Sequence, residues 1–346
     1  MYTKSLSDLA SAHLLLQRLD GQARHRERAR ACLEALAARR LAGLAGACWG
    51  ADLPYASRFT VATPATPNLF QTVNAAAAFL DAHEAEGEAG DLALATCVVD
   101  FVEHDLGRLE EDAGHVSWRY YPGREVLVYN VNASLAAFLC RLARCTGRGE
   151  LAVLAGRTMA GVVAAQNADG SWYYAREPRG RWVDGFHTGY VLEGLLEYRR
   201  MEEDAAAQGA LERGLAFYRQ RLLEPTGLPR YTDRALYPID VQSCAEAVQL
   251  LSKLAVSQPG MLPLAERAWA ESAARLLVWG GPAAAPRAHL RLQRGRFLQC
   301  ALASVRWGQA PMLLALAWLS TARRAQEARG PAPGGAFTNE ERSFGS

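Results

Sequence analysis

A unit of about 60 residues recurs along this chain and leaves few folds open to it. A loop rich in Pro, Tyr or Trp ends in a polar cluster, and that cluster opens a helix of small apolar residues. The clusters are Pro67-Asn68-Leu69-Phe70-Gln71-Thr72, Tyr129-Asn130-Val131-Asn132, Asp184-Gly185-Phe186-His187-Thr188-Gly189-Tyr190, Tyr237-Pro238-Ile239-Asp240-Val241-Gln242 and Arg306-Trp307-Gly308-Gln309. The steps from Asn68 to Asn132, His187, Asp240 and Trp307 are 64, 55, 53 and 67 residues, each enough for two helices and two loops. Five helical hairpins are predicted, and the segment before residue 55 has room for a sixth.

Apolar residues recur at spacings of three and four, while alternating Val/Ile/Thr runs are nearly absent, so the chain is all-α. The helices that follow the polar clusters, such as Ala133 to Leu142 and Ala245 to Leu254, are rich in Ala, Gly and Leu and poor in charge. Helices of that kind are buried on most sides. The intervening helices carry the arginines and glutamates. Together they predict a two-layer barrel, an (α/α)5–6 toroid over residues 1–328, with a disordered Pro/Gly-rich tail over 329–346. Every polar cluster then lies at the N-terminal end of an inner helix. They converge on one mouth, where free N–H groups and positive dipole ends suit an anionic ligand.

Composition narrows the partners. With 50% hydrophobic residues and 38 Lys+Arg against 36 Asp+Glu, the chain can offset its entropy by burial and is not disordered. A net charge of +2 spread over both signs gives no basic stripe for nucleic acid. No run approaches the roughly 18 apolar residues of a membrane span, and the start MYTKSLSDLASAH lacks a signal-peptide pattern, which predicts a cytoplasmic protein. Seven cysteines without a CxxC point to neither a disulfide framework nor a zinc knuckle, and most are expected to be buried packing residues. Lys4 and Lys253 are the only lysines, so a Schiff-base mechanism has few candidates.

Gln166-Asn167-Ala168-Asp169-Gly170-Ser171-Trp172 resembles the QW repeat of squalene–hopene cyclases. Asp184-Gly185-Phe186-His187-Thr188 is similar to the D-x-[FY]-H-T segment of protein prenyltransferase β-subunits, whose His is a zinc ligand. The resemblance covers residues 120 to 200 closely and the rest by hairpin rhythm, and it implies the toroid fold. It departs at the zinc site. Those prenyltransferases have D-x-C where this chain has Asn130-Val131-Asn132, and Asn is a poor zinc ligand, so no metal and no cofactor is expected. A DDxxD diphosphate clamp is missing too. A fainter similarity, through Trp182-Val183-Asp184-Gly185-Phe186-His187-Thr188, is to uronyl C5-epimerases. The Asp184 to Tyr190 segment also resembles toroid proteins of bacterial surface-polysaccharide gene clusters. Both imply a carbohydrate substrate.

The expected chemistry is acid/base work at the mouth. Asp184 and Asp240 form a candidate carboxylate pair, His187 a proton shuttle, and Tyr190 and Tyr237 proton donors or stacking faces for a sugar. Asn68, Tyr129, Asn130, Asn132 and Gln242 are expected to bind substrate. Arg230 and Arg306 would neutralise a uronate carboxylate. An epimerase, lyase or hydrolase of bacterial polysaccharide biosynthesis or modification follows. The rivals are a prenyl or terpenoid enzyme without zinc ligands, and a non-catalytic scaffold. A cavity lined by Tyr, Asp, His and Arg marks the sugar enzyme, one lined by Trp and Phe the isoprenoid enzyme, and a filled barrel the scaffold. Asp184, Asn68 and Asp240 also read as helix caps, Gln166 and Trp172 as structural, and Asp81, Glu84 and Glu86 as a solvated, charged helix end.

Overall fold

The computed structural model describes residues 2–59, 61–280 and 287–329. Within them lie eleven α-helices: α1 (Thr3–Asp20), α2 (Ala23–Ala37), α3 (Leu69–Glu86), α4 (Ala89–Asp100), α5 (Tyr129–Thr146), α6 (Gly149–Ala164), α7 (Gly185–Arg199), α8 (Ala205–Phe217), α9 (Val241–Ser257), α10 (Leu262–Leu276) and α11 (Ala310–Arg329). The odd-numbered helices form a closed inner ring. α1 packs on α3, α3 on α5, α5 on α7, α7 on α9, α9 on α11, and α11 returns to α1. α2, α4, α6, α8 and α10 each pack outside the inner helix they follow. The ring is therefore an all-α toroid with six inner helices, the sixth being the segment before residue 55. Of the tail expected over 329–346, Arg329 ends α11 and the remainder falls outside the described residues.

The two ends of the barrel differ because their connections differ. Inner helices hand over to outer ones through tight turns, three of which use a glycine just past the helix end: Gly21, Gly87 and Gly147, with φ of 71°, 76° and 71°. Only a residue without Cβ adopts that left-handed conformation freely, so glycine stops the inner helix there. Outer helices return through long connections that carry short antiparallel pairs. Arg108–Glu111 pairs with Val116–Trp118, and Leu277–Gly280 with Arg287–Leu290. These connections cover the end at which the inner helices begin.

Close packing of the ring needs small residues. A Cβ on Gly194 of α7 would lie 2.8 Å from the backbone of Ala133 on α5. Three fully buried tryptophans, Trp49, Trp118 and Trp172, precede α3, α5 and α7 and fasten the layers. Their indole N–H groups donate to Leu36 O (2.8 Å), Thr158 Oγ1 (3.0 Å) and Val162 O (2.8 Å) on outer helices. Gln166 ties α8 to the preceding loop, donating to Gly170 O and Ala210 O and accepting from Arg213. Cys48, Cys140 and Cys244 are buried, while Cys300 is exposed. Among the described residues no helix is long and apolar enough to cross a membrane.

Candidate functional site

At the mouth, the residues singled out from the sequence are brought to one end of the barrel, and most are engaged in holding it. Asn68 caps α3, its Oδ1 accepting from Gln71 N at 2.9 Å. Asn132 is buried and clamps the strand before α5, accepting from Trp118 N (2.8 Å) and donating to Trp118 O and Val128 O. Asp184 caps α7 through His187 N (2.8 Å), and its other oxygen accepts from Trp182 Nε1 (2.8 Å) and lies 2.6 Å from His187 Nδ1. Asp240 caps α9 through Gln242 N and Ser243 N, and its Oδ2 accepts from Gln293 Nε2 at 2.8 Å. Burial raises the Asp240 pKa. Both acids of the expected pair are thus committed to helix starts.

His187 is packed by the rings of Tyr174 (centroids 4.2 Å apart) and Phe186 (4.0 Å), and Tyr174 stacks on Trp182. Asn130 lies beside it with its Oδ1 buried and unpartnered, and the crevice between them has no room for a ligand. Tyr129 is half-buried at the start of α5. Arg230 is paired with Glu224. Tyr237 is exposed, and Arg306 lies over the rings of Tyr2 and Trp307. Arg230 is thus neutralised by an acid, while Arg306 is held by stacking alone.

A cavity of about 280 Å³ runs down the barrel axis. Of the residues chosen from the sequence, only Tyr190 lines it. Its hydroxyl meets Gln242 Nε2 at 3.5 Å and its ring packs on Phe70 and Phe186, closing the cavity toward the mouth. At the other end the lining reaches the last turns of the inner helices, with Arg18 and Glu84 exposed at the rim. The opening therefore lies at the end with the tight turns, opposite the expected mouth.

The cavity wall is charged. Both lysines of the chain line it: Lys4 pairs with Asp8, and Lys253 donates to Glu193 Oε2 at 2.9 Å, with Glu197 3.9 Å away. Gln249 also donates to Glu193 Oε2, at 2.8 Å. Arg141 bridges Asp81 (2.6 Å) and Glu84 (2.8 Å), and Asp81 accepts from Ser11 at 2.6 Å. Asp81 and Glu84 belong to the last turns of α3: Glu84 is exposed, as expected of a solvated helix end, while Asp81 is half-buried, and both line the cavity. Glu246 is buried behind the wall, beside Gly189, where a Cβ would approach its Cγ to 2.4 Å.

Burial shapes the acidity here. It raises the Glu246 pKa well above the ordinary value, and Glu193 adds to the effect. It raises Asp8 as well, against the pull of Lys4. For Lys253 burial acts downward, but Glu193 and Glu197 outweigh it and hold the ammonium. Glu193 on the wall and Glu246 buried behind it are carboxyl groups of the kind that acid/base chemistry uses. The available signal was a set of polar and charged side chains at helical spacing on otherwise apolar helices: Lys4 and Asp8, Glu193 and Glu197, and Glu246, Gln249 and Lys253. No group of three or more metal-ligating side chains is found among the described residues.

No protein-family model and no curated protein matches the chain by sequence. Solved structures do match in shape. Cellobiose 2-epimerase from Bacillus thermoamylovorans superposes with a TM-score of 0.67 at 9% identity, over 94% of this chain and 88% of that one. Cellobiose 2-epimerase from Spirochaeta thermophila gives 0.69 at 12%, over 95% and 87%. An alpha-mannanase from Bacteroides thetaiotaomicron gives 0.69 at 10%, over 95% and 88%. These likenesses establish a shared toroid fold along nearly the whole chain.

Proposed function

We propose that this chain is a carbohydrate-active enzyme that performs acid/base chemistry, of the epimerase or isomerase type, on a sugar of one or two rings held in the axial cavity. The observation that carries the reading is the wall of that cavity and the acid buried behind it: Glu193 on the wall and Glu246 behind it as the acid/base groups, the serines Ser7, Ser11 and Ser134 as hydroxyl partners, and Tyr190 and Trp318 as faces for a sugar ring. An isoprenoid would need an apolar pocket, and a scaffold would fill its barrel. The volume is at the lower end of small-molecule sites, about 300 Å³ upward, and one end is closed by Tyr190. That favours a small sugar over a polymer chain, and among the structural neighbours it favours epimerase chemistry over that of the mannanase. The similarity of Asp184 to Tyr190 to toroid proteins of surface-polysaccharide gene clusters supports a place in polysaccharide modification.

The test is to incubate the chain with reducing mono- and disaccharides in D2O and follow deuterium at the carbon next to the carbonyl by NMR. Deuterium incorporation with a new epimer is expected. Glu246→Gln and Glu193→Gln are each expected to slow it about 100-fold or more, the scale of general acid/base catalysis. A folded chain that exchanges none of these sugars refutes the reading.

One observation favours a second reading, with chemistry at the mouth: Asp184 orients His187 through a 2.6 Å contact, next to the stacked Tyr174 and Trp182. Loss of exchange in His187→Ala, with Glu193→Gln unaffected, would select it.

A further inference from the structure

We propose that the axial cavity takes an amine-bearing sugar, its ammonium seated against Asp8 and Glu193. This rests on the sugar reading above and adds the class of substituent.

Three observations carry it. First, Asp8 Oδ2, Glu193 Oε1 and Glu246 Oε1 are buried oxygens with no hydrogen-bond partner, and their residues are 3%, 8% and 4% exposed. They come from three inner helices, α1, α7 and α9, and Asp8 and Glu193 line the cavity directly. A buried acceptor without a donor costs about 1–3 kcal/mol, and the two on the cavity wall, Asp8 Oδ2 and Glu193 Oε1, are open to a donor brought in by a ligand. An ammonium brings three N–H donors, enough for both.

Second, the cations around the cavity are already spent. Lys4 is taken by Asp8, Lys253 by Glu193 and Glu197, and Arg141 by Asp81 and Glu84. Only Arg18, at the exposed rim, stands apart from these pairs. Carboxyl groups outnumber cations along the wall, so a uronate or phosphate would find no partner within, whereas a cation would balance the excess. A neutral hydroxyl could satisfy one acceptor but not the charge. The mutual effect of the three acids agrees: beyond burial, Glu193 raises the pKa of both Asp8 and Glu246, and Asp8 raises that of Glu246.

Third, the cavity opens where the inner helices end. Carbonyl groups and negative dipole ends face the entrance, which favours positive ligands. Trp318 and Phe138 on the wall offer faces to the sugar ring.

The experiment is isothermal titration calorimetry of the full chain with glucosamine, glucose, N-acetylglucosamine, glucuronate and putrescine. Glucosamine is expected to bind at least tenfold more tightly than glucose or N-acetylglucosamine, with glucuronate silent. Asp8→Asn and Glu193→Gln should each cut that preference tenfold, and the ligand series in the unaltered chain stands as evidence even if a variant fails to fold. Glucose or glucuronate binding as tightly as glucosamine overturns the amine inference and leaves the sugar reading intact. Putrescine binding with every sugar silent overturns both the inference and the sugar reading. Silence from all five also overturns both.

Discussion

Asp184 and Glu246 show how differently two buried acids can serve one barrel. Asp184 is surrounded by donors, namely the backbone of His187, the Trp182 indole and the His187 ring, and it starts a helix. Asp184→Ala is expected to lower stability by about 1–2 kcal/mol, the range for losing a cap, measured by denaturant unfolding. Glu246 has too few donors, and its place is kept open by the absence of a side chain on Gly189. Gly189→Ala would push the Glu246 side chain and no backbone. Its expected outcome is a lowered unfolding midpoint together with a large loss of sugar exchange.

At the level of elements, the α1–α2 hairpin carries an acid-sensitive joint. His13 Nδ1 and His25 Nδ1 are 2.9 Å apart, so one must donate and the other accept, and His25 Nε2 lies 3.2 Å from Asp20. Burial, followed by the nearby His25 and Arg28, lowers the His13 pKa to about 4. An unfolded histidine titrates near 6.5. Between those values the unfolded chain takes up a proton that the folded chain refuses, so stability falls as pH drops from about 6.5 to 4. Melting temperatures across that window should show the decline, and His13→Asn should flatten it. The elements themselves were legible because their causes are local. Asn68, Asp184 and Asp240 announce helix starts, and Gly21, Gly87 and Gly147 announce the ends. The cavity wall was not. Lys4 with Asp8, or Asp81 with Glu84, reads locally like any exposed charged stripe, and only closure of the ring turns those stripes toward one another.

For the whole molecule, closure depends on α1 meeting α11. Their contact is a small apolar seam of Ala12, Leu314 and Ala317, flanked by Leu15, Leu16, Leu313 and Trp318, and separate from the main core. Removing residues 2–37 would expose the flanks of α3 and α11 and take Lys4 and Asp8 from the cavity. The truncated chain is expected to lose its single cooperative melting transition in calorimetry, whereas deleting an outer connection such as 108–118 should lower the midpoint and preserve cooperativity.

The seam has a consequence for chain order. α1 and α11 run side by side in the same direction, so the start of one and the end of the other lie at opposite ends of the barrel, about 30 Å apart for a helix of 20 residues. A helix of that length joining them would lie along the one outer position that no described helix fills. A circular permutant linked in this way and opened at the Gly87 turn would then have six equivalent hairpins. In such a ring no helix is first, and the barrel is defined by its neighbours and not by its termini.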